Sequence, residues 1–167
     1  MDLRDAAIHQ AISPQDLALA RELFLEYADW LKVDLCFQGF ERELAALPGD
    51  YAPPQGRLLL AFHHERAVGC AALRRIDATT AEVKRLYVRP EARGKRVGRQ
   101  LVGQLIAAAR ECGYRRLVLD TLPQMPEAQT LYRSFGFVEI PGYYHNPLPG
   151  VIFMELRLAE SAKDRRS

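Results

Sequence analysis

The sequence predicts a mixed α/β fold, and three observations predict it. Short runs rich in β-branched and aromatic residues alternate with stretches whose apolar residues recur at helical spacing. Two of those runs, Arg57–Phe62 and Ala67–Ile76, are separated only by His63-His64-Glu65-Arg66 and read as an antiparallel hairpin. A third run, Glu82–Val88, is stopped by Pro90, which cannot donate to a sheet ladder, and gives way after a basic loop to a helix. With 167 residues, of which 49% are hydrophobic and 26% charged, the chain is large enough for one domain with a sizeable core. That domain is expected over residues 1–158, followed by a polar tail at 159–167.

The elements follow in order. Residues from about Ala6 to Ala11 suit a short first strand. Ser13-Pro14-Gln15-Asp16 is a helix start, with serine at the N-cap, proline at the first helical position and an acid in the first turn. Leu17, Ala20, Phe24, Tyr27 and Leu31 then form one apolar stripe, and the aromatics Phe24, Tyr27 and Trp30 read as core rather than as pocket walls. A second helix is expected from near Phe37 to Leu47, ended by Pro48-Gly49. After the hairpin, Thr79–Val88 is the next strand, antiparallel to it. Val97, Leu101, Leu105, Ala108 and Cys112 define a long helix that Gly113 terminates. Arg115–Thr121 is a mainly apolar strand suited to the middle of a sheet, and Pro126–Phe135 is a helix stopped at Gly136. Phe137–Ile140 and Val151–Leu156 are the last strands.

Composition excludes several functions. A net charge of +2 is too small to imply nucleic-acid or membrane binding, and no apolar run reaches the roughly 18 residues of a membrane span. The N-terminus lacks an apolar signal region, and Cys36, Cys70 and Cys112 lack CxxC spacing, so they read as reduced thiols of a cytoplasmic protein with no metal site. Adjacent histidines in a strand point to opposite faces and serve no common metal, so His63 and His64 read as decorating the hairpin turn, with no function assigned.

The junction between the Glu82–Val88 strand and the following helix carries the chemistry. Helix N-termini present unpaired N–H groups and partial positive charge, which favour phosphate. Arg89, Arg93, Lys95, Arg96 and Arg99 add full charges, opposed by Glu91 alone. Neither the GxxxxGK triphosphate loop nor the GxGxxG dinucleotide fingerprint is present. Arg93-Gly94-Lys95-Arg96-Val97-Gly98 resembles the acetyl-CoA-binding motif Q/R-x-x-G-x-G/A of the GCN5-related N-acetyltransferases (GNAT), with Arg96 where the inner glycine is usual. Ala128-x-x-Leu131-Tyr132-x-x-x-Gly136-Phe137 resembles a second segment of that family, with Met125 where an asparagine often stands.

The resemblance implies a GNAT fold, a twisted and mostly antiparallel sheet of six to seven strands flanked by helices. It implies transfer of an acetyl group from acetyl-CoA to a primary amine of a small molecule or peptide, by direct attack on the thioester. Arg93, Gly94, Lys95, Arg96, Val97, Gly98 and Arg99 would hold the pyrophosphate, and the strand edge at Leu86, Tyr87 and Val88 would pair with the pantetheine amides. Tyr132 would protonate the departing thiolate. For the base, Glu82 is the first candidate and His145 the second. The loop carrying Tyr143, Tyr144, His145 and Asn146, with Asp120 and Thr121 at a strand end, would recognise the acceptor. A non-catalytic acyl-CoA-binding module and a nucleic-acid-binding domain are the competing readings. Acidic residues are not clustered, which gives no case for a polyamine, and homodimerisation is common in such folds.

Overall fold

The structure, a computed structural model, describes residues 6–36 and 39–159. Among these, seven strands form one sheet: β1 (Ala7–Gln10), β2 (Arg57–His63), β3 (Arg66–Arg75), β4 (Thr80–Val88), β5 (Arg116–Thr121), β6 (Val138–Ile140) and β7 (Ile152–Arg157). The helices are α1 (Pro14–Leu31), α2 (Phe40–Ala46), α3 (Val97–Glu111) and α4 (Pro126–Ser134). The spatial order is β1-β2-β3-β4-β5-β7-β6, antiparallel throughout except for the β4–β5 pair. The mostly antiparallel expectation therefore holds, and the expected element bounds hold to within a few residues. Phe37, the expected start of the second helix, and the tail from residue 160 lie outside the described residues; α2 is described from Phe40.

Local chemistry sets these boundaries. Ser13 caps α1 by accepting the Asp16 N–H at 3.1 Å, and Lys32 closes it in a left-handed conformation. Gly113 and Gly136, with φ of +83° and +100°, supply the left-handed residues after α3 and α4. Alternation along β2 divides the core: Leu58 and Leu60 face α1 and α2, whereas Leu59 and Ala61 join the cluster beneath α3. Phe24 and Leu23 fill the first cluster; Leu101, Leu105, Tyr132 and Phe137 belong to the second. Helices thus cover both faces, and each fully buried leucine contributes about 1.5–3 kcal/mol.

The hairpin turns at His64 and Glu65, as expected; His64 has φ +54° there, which leaves the pleat and brings its ring to 4.3 Å from that of His63.

Candidate functional site

The site is built where β4 and β5 part. The two strands pair in parallel only from Thr80 to Glu82 against Arg116 to Val118; beyond that, β5 continues to pair with β7 but not with β4. The rest of β4, Val83–Val88, keeps its ladder to β3 and turns its other edge into a cleft. A bulge lies within this stretch. Cys70 faces Tyr87 while Ala72 faces Lys84, so β4 carries one extra residue, and Arg85 takes φ +59° there. The Cys70 thiol donates to the Arg85 carbonyl at 3.3 Å, anchoring the bulge from β3.

The cleft has a volume of about 650 Å³. Leu86, Tyr87 and Val88 form one wall, Trp30 of α1 and Met125, Ala128 and Leu131 around α4 form others, and the α3 N-terminus closes one end. Arg93, Gly94, Arg96, Val97, Gly98 and Arg99 all line it; Lys95 does not. The α3 N-terminus carries no side-chain cap, so its N–H groups face the cleft mouth with their partial positive charge intact. Arg96 adopts φ +67° and Gly94 φ +74°. Arg96 thus takes the left-handed conformation that a glycine would take more easily, and keeps the turn at a strain of roughly 1–2 kcal/mol.

Arginine side chains here divide by partner. Arg93 donates through Nε to the Val88 carbonyl at 2.8 Å and lays its guanidinium over Trp30 at 4.7 Å and Tyr87 at 5.7 Å. Arg99 lies over Phe135 and donates to Ser134. Arg89, counted above with the loop charges, turns the other way: it bonds Glu22 and Glu26 of α1 at 2.8–3.0 Å and the Ala67 carbonyl at 2.9 Å. Two carboxylates one helical turn apart on α1 capture it, and it does not line the cleft.

Beside the cleft lies a small polar chamber of about 30 Å³, room for a water or two. Lys84, Asp120, Thr121, Tyr132, Tyr27 and Asn146 line it, and Leu86 and Met125 belong to both spaces. Burial raises the Tyr132 hydroxyl well above the ordinary tyrosine range, with Tyr27 and Asp120 adding to the effect, so it stays protonated. Tyr27 is likewise pushed up to about 12 by burial, against the pull of Arg85. Burial pulls the Lys84 ammonium below the ordinary lysine range; Arg85 repulsion adds to this, while Glu82 and Asp120 oppose it.

Behind the chamber lies a charged network. Glu82 is fully buried; Arg74 donates to it at 2.7 Å, Tyr143 donates its hydroxyl to the other oxygen, and Lys84 stands 3.9 Å away. Its carboxylate therefore meets partners on both oxygens, and it lines neither cleft nor chamber. Arg85 is gripped by both oxygens of Glu43 at 2.9 and 3.0 Å and lies over Phe40. At the end of β5, Asp120 accepts from the Tyr144 hydroxyl and from Asn146 at 2.8 Å, and the Asn146 side chain also accepts from Leu148 N–H at 2.9 Å. Thr121 is buried beside the Met125 sulfur. His145 is exposed and outside both spaces.

The structure thus brings Arg93, Gly94, Arg96, Val97, Gly98 and Arg99, the β4 edge, Tyr132, Thr121 and Asn146 around the cleft and the chamber adjoining it. It sets Tyr143 and Glu82 behind them and leaves His145 on the surface. One residue assigned to the core needs correction: Phe24 is fully buried and Tyr27 packs against the core while also lining the chamber, but Trp30 is 41% exposed in the cleft beside the unpaired edge of β4. Sequence reasoning missed Arg85 with Glu43. The signal was present as Lys84-Arg85, a charged doublet inside an otherwise strand-like apolar run.

Comparison with known proteins bears on the fold and the family. The acetyltransferase (GNAT) family matches over residues 19–137. An uncharacterized N-acetyltransferase of Schizosaccharomyces pombe is 42% identical over 149 residues, covering 88% of this chain and 91% of the relative. The crystal structure of an acetyltransferase from Streptococcus agalactiae superposes with a TM-score of 0.76 at 26% identity, covering 91% of this chain and 98% of the other. A Salmonella typhimurium protein described as a putative acetyltransferase, solved with its cofactor acetyl-CoA, shares the fold with a TM-score of 0.66 at 24% identity over 95% of this chain and 96% of its own. With a family match spanning most of the chain and a relative this similar along nearly its whole length, the protein belongs to the GNAT acetyltransferase family.

Proposed function

We propose that the protein is an acetyl-CoA-dependent N-acetyltransferase that moves an acetyl group to a primary amine of a small molecule or peptide. The observation that carries this reading is the parting of β4 from β5 directly beside an uncapped, arginine-flanked helix N-terminus. An unpaired strand edge suits the amides of a pantetheine arm, and free helix N–H groups suit a pyrophosphate. Arg93, Gly94, Arg96, Val97, Gly98 and Arg99 would hold the phosphates, with Lys95 as a further charge beside them, and Leu86, Tyr87 and Val88 would hold the arm. The thioester supplies an activated acyl group and a thiolate as leaving group.

The chain's own residues then have separable tasks. A backbone N–H on the open edge of β4 stabilises the oxyanion without reorganisation. Tyr132, held protonated by burial, donates a hydrogen bond to the developing thiolate. Complete proton transfer from it would leave a buried phenolate, and the nearby Lys84 ammonium is the charge that offsets that cost. Glu82 and His145 are the candidates for removing the amine's proton. Glu82 would act through Tyr143 or Lys84, since both of its oxygens are engaged, and His145 from the outer loop. Tyr143, Tyr144, Asn146 and Thr121 would border the acceptor.

Calorimetric titration with acetyl-CoA, compared with free CoA and dephospho-CoA, tests the reading. One saturable site per chain and CoA release with an amine are expected; a folded sample that binds none of the three would end it. Binding without turnover of any amine would favour a regulatory acyl-CoA-binding module. Tyr132→Phe should lower turnover by about 100-fold while leaving acetyl-CoA affinity nearly unchanged.

A further inference from the structure

The phase of the β3–β4 ladder places one backbone carbonyl on the open edge, and Arg93 holds it. Arg89 N–H donates to the Val68 carbonyl at 2.8 Å across the Gly69–Val88 pair, which makes that pair the non-hydrogen-bonded kind. The N–H and C=O of Val88 therefore point away from β3, onto the edge that β5 leaves unpaired beyond Glu82. Arg93 Nε donates to that carbonyl at 2.8 Å, and its guanidinium covers Trp30 at 4.7 Å and Tyr87 at 5.7 Å. We propose that Arg93 is a gate that sets donor specificity. It competes with the pantetheine arm for the β4 edge until a diphosphate draws it away, so the protein takes thioesters that carry a diphosphate and neglects the same acyl-pantetheine without one. The inference rests on the acetyltransferase reading above and specifies its donor.

Three observations carry it. The first is position. An amide of an arm running along β4 would donate to the Val88 carbonyl from the cleft side, and Arg93 Nε already makes that approach. Trp30 and Tyr87, the rings beneath the guanidinium, are walls of the same cleft, so the side chain fills space there as well as an acceptor. The second is how lightly it is held. Arg85 and Arg89 are gripped by carboxylates, whereas Arg93 meets none among the described residues and has one neutral acceptor and two ring faces. A diphosphate offers a planar guanidinium two-point bonds with charge on both partners, a stronger class of contact.

The third is attachment. Arg93 belongs to the loop that leads into the uncapped α3 N-terminus, and it lines one cleft together with Gly94, Arg96, Val97 and Gly98 of that loop. Rotation about its own side-chain bonds can turn the guanidinium from the Val88 edge toward the phosphates while β4 stays in place. Two consequences follow from linkage. The affinity of a bare pantetheine arm is reduced by the fraction of time for which Arg93 holds the edge. A diphosphate and the arm also bind cooperatively, each favouring the state in which Arg93 has left Val88.

The test is calorimetric titration with S-acetylpantetheine, which carries no phosphate, on the native protein and on Arg93→Met, each with and without saturating inorganic diphosphate. On the native protein, diphosphate should tighten S-acetylpantetheine about fivefold or more. Arg93→Met removes the charge and the donor, so it should bind S-acetylpantetheine about fivefold more tightly than the native protein, show no response to diphosphate, and bind acetyl-CoA about tenfold more weakly. Diphosphate that leaves the native affinity unchanged or lowers it overturns the gate. So does S-acetylpantetheine that binds Arg93→Met no more tightly than the native protein, undetectable binding to both included, because a residue that only holds phosphates predicts that result. The diphosphate comparison is read on the native protein and decides the matter even if the variant does not fold. Failure of the native protein to bind acetyl-CoA would instead bring down the acetyltransferase reading itself, so the two failures are distinguishable.

Discussion

Arg85 and Arg89 differ from Arg93, Arg96 and Arg99 in what meets their charge, although all five lie within one strand–loop–helix stretch. Arg85 has a side chain only 2% exposed and is held by both oxygens of Glu43; Arg89 is held by Glu22 and Glu26. Arg93 and Arg99 rest on aromatic rings, and Arg96 stands exposed at the start of α3. The first pair ties the sheet to α2 and α1, so its charge is neutralised within the fold. The second group meets no carboxylate among the described residues, and its charge is available to a ligand. Identical residue types a few positions apart thus serve different ends, and the deciding factor is whether a helix from earlier in the chain brings carboxylates to them.

The largest effect should come from removing a partner of the first pair. Glu43→Ala leaves the Arg85 guanidinium buried without its carboxylate and should cost about 3–5 kcal/mol in urea unfolding. Unfolding free energy within about 1 kcal/mol of native would mean that Arg85 is as hydrated as the loop arginines, and the contrast would collapse. Arg93→Glu should do the reverse, weakening acetyl-CoA binding by roughly ten- to a hundredfold while moving stability by less than about 1.5 kcal/mol, since it forfeits one hydrogen bond and a cation–π contact. Unchanged affinity would remove Arg93 from the phosphate site.

Salt separates the groups without mutation. Raising ionic strength to about 1 M shortens the screening length to roughly 3 Å and should weaken acetyl-CoA binding severalfold, whereas the Glu43–Arg85 contribution to stability changes little because the pair is shielded from solvent. The smallest effect concerns the loop backbone. Arg96→Gly relieves a left-handed strain of about 1–2 kcal/mol but adds freedom to the unfolded chain, for a net gain of about 0.5–1 kcal/mol by thermal unfolding. A loss of stability would show that the Arg96 side chain, and not its backbone, matters.

Elements were legible because they rest on local chemistry: Ser13 capping α1, Pro90 ending β4, and Gly113 and Gly136 taking left-handed backbone. The loop was legible for the same reason, since a basic stretch before an apolar helical repeat has few other uses. The open edge of β4 at Leu86, Tyr87 and Val88 was legible only through the family resemblance, because ladder hydrogen bonds are made by the backbone and no residue type records where they stop. Glu43 and Arg85 lie 42 positions apart, a pairing that only the packing of α2 on the bulge creates. Trp30 misled because its place on α1 satisfies the pattern of a core face, yet it falls beside the unpaired edge of β4, where the cleft opens. Glu82 was read as a base; its burial, with Arg74 on one oxygen and Tyr143 on the other, depends on residues 8 and 61 positions away and is not recorded in the local sequence.

Trp30 has a consequence of its own. It is the chain's single tryptophan, 41% exposed in the cleft with the Arg93 guanidinium 4.7 Å above its ring. All indole emission from the protein therefore originates at one wall of the space proposed for the pantetheine arm, under a cation proposed for the phosphates. A ligand that enters must displace water from the ring, draw Arg93 off it, or both, and either event changes emission wavelength and yield. The native molecule thus carries an intrinsic optical reporter of that cleft, with which occupancy can be followed on the stopped-flow timescale without a label and with no background from any other indole.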